Sequence, residues 1–163
     1  MGLFKKAARR AALAAARYSQ RLKEDLIEFE SLILDEIYTF VGSKNQRCYV
    51  FTAIGVTEFG KRYFFARVLD QPSSACLRRF LALLPPARHY FSDGAPMYGE
   101  VLGTAVLQEK NAATALVESL NSRFRQYVPW LRRKTKGYSK SLPGMIDSLN
   151  LILQEKICPA MQK

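Results

Sequence analysis

A chain of 163 residues is long enough for one domain with a buried core and short for two. Apolar residues at 48 % and aromatics at 12 % exclude a disordered chain. Twenty-five Lys and Arg against 14 Asp and Glu leave a net charge of +11, so the partner to expect is a polyanion, either nucleic acid or an anionic membrane surface.

Residues 2 to 24 read as one helix. Leu3, Phe4, Ala7, Ala11, Ala15, Tyr18 and Leu22 recur at three- and four-residue steps, with Lys5, Lys6, Arg9, Arg10, Arg17 and Arg21 between them. A first segment, 1–28, is therefore expected to be a basic amphipathic helix. Three partners stay open for it: phosphate, anionic lipid, or the rest of the chain. Residues 29–156 are expected to form one domain, with a short tail at 157–163. Three β-rich runs, 31–41, 47–57 and 61–69, are joined by segments short enough for hairpins. The second and third are apolar on successive residues, which predicts a sheet covered on both faces by helices. Pro72 opens a helix, with Ser73 and Ser74 in its first turn, and Pro85-Pro86 stop it. A strand at 88–92, a turn at Asp93-Gly94, a short helix near 96–102 and a weak strand at 104–108 follow. A long helix is expected at about 112–128 and a last one at about 143–156. This order of α/β elements, three antiparallel strands and then two further strands with flanking helices, suits an RNase H-like mixed sheet.

The cysteines, Cys48, Cys76 and Cys158, are widely separated and lack C-x-x-C spacing, and His89 is the only histidine. This argues against structural zinc and for reduced, packed thiols. The longest run free of charged residues, Cys48 to Thr57, has 10 residues, about half of a bilayer span. A cytoplasmic, nucleoid-associated protein is the expectation.

Three carboxylates stand out. Asp35 interrupts an apolar strand, Asp93 ends another, and Glu118 lies on the long helix, away from an apolar side of Leu116, Leu120, Phe124 and Tyr127. In an RNase H-like order these three elements meet at one edge of the sheet. Converging carboxylates suit Mg2+ (or Mn2+), a hard ion that prefers carboxylate oxygen and water, and two such ions serve in-line displacement at a phosphodiester. The spacing alone leaves a plainer reading open: a part-exposed strand residue, a turn former ahead of Gly94, and a solvated helix residue. On the same helix, Asn121, Ser122 and Arg125 are expected to share the open face with Glu118. From Arg123 to Lys140 there are seven basic residues (Arg123, Arg125, Arg132, Arg133, Lys134, Lys136, Lys140) and no acid, interleaved with Tyr127, Trp130 and Tyr138. Cations for phosphates beside rings for bases suit DNA.

Four segments resemble, in order, the blocks of the insertion-sequence-one family of DDE transposases. Asp35-Glu36-Ile37-Tyr38-Thr39-Phe40-Val41-Gly42 resembles its first catalytic block, and Ser92-Asp93-Gly94-Ala95-Pro96-Met97-Tyr98 its D-G-x-P-x-Y block. Glu118 to Arg125 resembles E-x-x-N-x-x-x-R, and Arg133 to Ser141 resembles R-K-[ST]-x-x-aromatic-S-K-S. The resemblance covers about residues 33–153. It implies a metal-binding triad of Asp35, Asp93 and Glu118 that cleaves DNA and transfers the strand. Asn121 and Arg125 would support it or contact DNA, with Arg132, Arg133, Lys134, Lys136 and Lys140 as further DNA contacts. It also implies insertion-sequence ends and target DNA as substrates, a homo-oligomer on DNA, and no small-molecule substrate. The family's zinc-finger and helix-turn-helix region has no counterpart in these motifs. The chain thus resembles the catalytic portion, either the product of a second reading frame with that region encoded upstream or a shortened copy. The competing expectation is an RNase H-like DNA-binding protein without catalysis that modulates transposition.

Overall fold

A computed structural model describes residues 2–69, 71–107, 112–132 and 139–157. The elements are α1 (Leu3–Glu24), β1 (Phe29–Val41), β2 (Ser43–Val56), β3 (Arg62–Leu69), α2 (Ser74–Leu81), β4 (Ala87–Phe91), α3 (Pro96–Leu102), β5 (Val106–Leu107), α4 (Ala112–Tyr127) and α5 (Leu142–Ile152). The last helix continues in a π-type turn, Leu153–Ile157. The five strands form one mixed sheet in the order β3-β2-β1-β4-β5. The β1–β2 and β2–β3 pairs are antiparallel, and β1–β4 and β4–β5 are parallel.

Alternation along the strands builds two cores, one on each face. Leu32 and Leu34 of β1 join Phe51 and Ala53 of β2, Leu77 and Phe80 of α2, and Tyr98 of α3 on one side. Ile33 and Ile37 join Val50 and Ile54, then Val117, Leu120 and Phe124 of α4 and Leu149 of α5 on the other. Burying each of these side chains contributes on the order of 1.5–3 kcal/mol, so both faces favour the sheet. Gly55 of β2 lies under the Phe29 ring: a Cβ there would sit 2.3 Å from a ring carbon, so no larger residue fits.

The helix expected from Pro72 begins two residues later. Ser73 is its N-cap, with its hydroxyl accepting from the Cys76 amide at 3.3 Å. A side-chain acceptor for an orphan N–H outweighs proline's preference for the first turn. The β2 strand also starts earlier than expected, at Ser43, because Gly42 takes φ 69 and reverses the chain at once. Cys48 and Cys76 are buried thiols outside any disulfide, while Cys158 lies outside the described residues. Among the described residues no helix is long and apolar enough to cross a membrane.

Candidate active site

Asp35 lies in the middle of β1 on the face toward α4, and its cross-strand partner on β2 is Thr52. Ile33–Ile54 and Ile37–Val50 flank this pair, so one polar pair sits between two apolar ones under α4. Asn121 of α4 closes it. Its amide donates to Asp35 Oδ2, and the fully buried Thr52 hydroxyl donates to Asn121 Oδ1 at 2.8 Å. The Glu36 amide donates to the other oxygen, Asp35 Oδ1, at 2.8 Å. A buried polar group without partners would cost a few kcal/mol, and here each has one.

This corrects the orientation expected for α4. Asn121 is 1 % exposed, and the buried face is Val117, Leu120, Asn121, Phe124 and Val128. Asn121 is thus placed against Asp35 rather than on the open face with Glu118. Tyr127, expected on the apolar side, is 40 % exposed. Glu118 is exposed and stands three residues, roughly one turn, before Asn121 on the same helix. Arg125, one turn after Asn121, is close enough to Asp35 to favour its charged form.

Asp93 arrives from β4. The parallel register pairs Ile33 with Phe91, so two residues further on the two chains carry Asp35 and Asp93. Asp93 is exposed; its Oδ1 accepts from the Ala95 amide at 3.2 Å, and Gly94 takes φ 87 in that turn. Burial pushes the Asp35 carboxyl above the usual range, and the Asp93 charge adds to the push, against the Glu36 amide and Asn121. Two like charges are therefore close where the parallel pairing of β1 and β4 ends, in the middle of β1 and just beyond β4.

Three further residues belong to the site and were not singled out from the sequence. Glu36 points to the opposite face from Asp35, as successive strand residues must. The hydroxyl of Tyr98, itself 0 % exposed, donates to Glu36 Oε2 at 2.6 Å. Burial, with help from Asp93 and Asp35, pushes the Glu36 carboxyl up to about 7 despite that bond. Burial and Glu36 likewise raise the Tyr98 phenol above its ordinary value. The third residue is Thr52, a hydroxyl within an otherwise apolar strand, and that break in pattern was its available signal.

The carboxylate chemistry fits a hard divalent cation: oxygen donors, crowded and mutually repelling, with two hydrogen bonds orienting Asp35. Among the described residues, however, no group of three or more His, Cys, Asp or Glu is arranged to hold a metal ion. Of the basic residues, Lys140 and Arg132 are exposed. The Arg132 guanidinium lies 3.4 Å from the Arg125 and Gln126 carbonyls at the end of α4. Arg133, Lys134 and Lys136 lie outside the described residues.

The sequence model of the IS1 transposase family matches residues 27–149, the span that holds every site residue above. Among curated proteins, the IS1 4 protein InsB of Escherichia coli (strain K12) is 28 % identical over 111 residues, 67 % of this chain and 65 % of its own length. The InsB protein of Shigella sonnei is 28 % identical over 111 residues, 82 % of its length. The match thus spans a little under two thirds of the Escherichia coli protein. No solved structure matches. With three quarters of its length under one family model, this chain belongs to the IS1 transposase family.

Proposed function

We propose that the chain is the catalytic part of a DNA transposase with an RNase H-like domain. Asp35, Asp93 and Glu118 would hold Mg2+ or Mn2+. The observation that carries this reading is the closeness of Asp35 and Asp93 just past the parallel pairing of β1 and β4, with Asn121 tying the Glu118 helix to Asp35. The strand order, with three antiparallel strands and two parallel additions, supports the fold assignment. The net charge of +11 supports a polyanionic substrate.

In cleavage, a water oxygen attacks phosphorus, the P–O3′ bond breaks, and a 3′-hydroxyl and a 5′-phosphate result. In transfer, the freed 3′-oxygen attacks a target phosphodiester and displaces the target's 3′-oxygen. Bound divalent metal supplies nucleophile activation and stabilisation of the leaving oxygen. The protein's own part is orientation. Asn121 and the Glu36 amide fix Asp35, the turn through Ala95 fixes Asp93, and Arg125 offsets negative charge beside the phosphate. The test is nicking of supercoiled and pre-cut, flapped DNA with Mg2+ or Mn2+ and with chelator, alongside Mn2+ binding followed by its spin-resonance signal. Cleavage and a bound Mn2+ are expected. Neither, in a folded chain that still binds DNA, would leave the non-catalytic reading.

A further inference from the structure

We propose that α1 is a second DNA-contact surface, which runs along one phosphate backbone away from the carboxylate site. The helix buries Ala8, Ala11 and Leu22, and the Tyr18 ring packs 5.9 Å from Phe65 and 6.3 Å from Tyr63 on β3. Its apolar side is thus used in closing the β3 edge of the sheet. A helix lying in a membrane interface would give that side to lipid, and the part of it around Ala8, Ala11 and Leu22 is already taken up by the domain.

What remains outside is charge together with three exposed apolar side chains, Leu3, Phe4 and Leu13. Lys6, Arg10, Arg17 and Arg21 are all exposed and follow one another at steps of three to four residues through Leu13, which puts them in one stripe opposite the buried side. No acid occurs before Glu24 in the sequence. Among the described residues, none of the four cations pairs with a carboxylate. The stripe is roughly 22 Å long with a cation about every turn, a spacing close to that of successive phosphates along a strand. The family match begins at residue 27, after this helix. Two strand spacings and a helix packing distance separate α1 from Asp35, on the order of 20 Å. That distance is short against a duplex of about 30 base pairs, so one duplex is long enough to reach both.

The proposal rests on the transposase reading only for the identity of the polyanion. Its test is binding of the full chain to a duplex of about 30 base pairs of arbitrary sequence over a salt series. A variant carrying Lys6→Gln, Arg10→Gln, Arg17→Gln and Arg21→Gln should lower the log–log salt slope by about 3–4 and weaken binding at least about tenfold. Replacing the three arginines by Lys should keep the slope, which separates lost charge from lost folding. Asp35→Asn should keep it too, so failure of catalysis and failure of this surface read out separately. An unchanged slope in the Gln variant overturns the proposal. So does a wild-type preference for phosphatidylserine vesicles over duplex that the Gln variant alone loses.

Discussion

The parallel pair of β1 and β4 treats charge oppositely at its two ends. At the start, Arg88 lies 3.6 Å from Glu28 and 3.4 Å from Glu30, and His89 lies 3.6 Å from Glu30, all on side chains at least 38 % exposed. Acid meets base in water, and nothing is left over. At the finish, the Asp93 charge raises the proton affinity of Asp35, Asp93 and Asp35 raise that of Glu36, and Arg125 favours the charged form of Asp35. Like charges close together in a partly desolvated place are costly unless a cation is supplied. The difference is what the proposed metal site rests on: the crowded carboxylates lie just past the parallel pairing of β1 and β4.

The severest way to break that comparison is to remove a carboxylate charge from the crowded end. Asp35→Asn and Glu118→Gln should each lower Mg2+-dependent nicking by at least about 10³-fold while leaving DNA binding within about twofold. Each amide keeps the size of the side chain, and Asn at position 35 still accepts hydrogen bonds. Single-turnover nicking beside a binding titration checks both halves. Nicking that persists in Asp35→Asn would mean that the crowded carboxylates are structural.

A second intervention leaves the charges and disturbs their orientation. Thr52→Val keeps the shape and removes the hydroxyl, so the buried Asn121 Oδ1 loses its donor. A cost of about 1–3 kcal/mol in stability is expected. A loss of about 10–100-fold in Mn2+ affinity or nicking rate should accompany it, the usual effect of freeing a ligand's supporting partner. Thr52→Ser, with the hydroxyl restored, should recover most of the metal affinity. Denaturant melts and Mn2+ titration of the pair separate orientation from stability.

How much of this was legible follows from the range of each signal. Periodicity along the chain located α1, the strands and α4, because those patterns are local. Asp35 and Asp93 stood out as charges at strand positions, and the hairpins gave the antiparallel half of the sheet. Asn121 was read onto the wrong side of α4 because a polar residue on a helical wheel defaults outward. Its partners are 69 and 86 residues away, Thr52 and Asp35, and no wheel contains them. The same blindness hid Glu36. It follows Asp35, so alternation sends it to the other face, where its hydrogen-bond donor is Tyr98, 62 residues on. Ser73 was taken as a helix residue rather than a cap, because capping depends on which backbone amide the hydroxyl reaches.

Glu36 offers a quieter probe of the crowded end, through pH. In the metal-free chain its carboxyl holds a proton up to about 7, against the ordinary 4.5. Between those values the folded state binds a proton that the unfolded state has released. The stabilisation is therefore complete below about 4.5 and is lost as pH rises through about 7. Discounted for partial solvent screening, the loss should be about 1–2 kcal/mol. Glu36→Gln, which still accepts from Tyr98, should flatten that slope in urea melts between pH 5 and 8. A wild-type chain whose stability is level across this range would show that the carboxylates at this end do not strain one another.

The smallest effect belongs to the opposite end of the same strand pair. Arg88 bridges two glutamates, while the Thr52 hydroxyl reaches only uncharged acceptors, Asn121 Oδ1 and the Asp35 carbonyl, so counting ion pairs would rank Arg88 first. The physics ranks them the other way. Arg88 and its partners are about half exposed, water already solvates each charge, and holding three long side chains together costs entropy. Arg88→Ala should change stability by less than about 1 kcal/mol, and added salt should shrink the difference further. It should leave Mn2+ affinity and nicking untouched, because its strand position is next to His89 and far from Asp93 along β4. Paired urea melts at low and high salt read the first claim, and a Mn2+ titration reads the second. A loss as large as that of Thr52→Val would mean that these exposed ion pairs stabilise the fold as much as the buried hydroxyl–amide–carboxylate chain does.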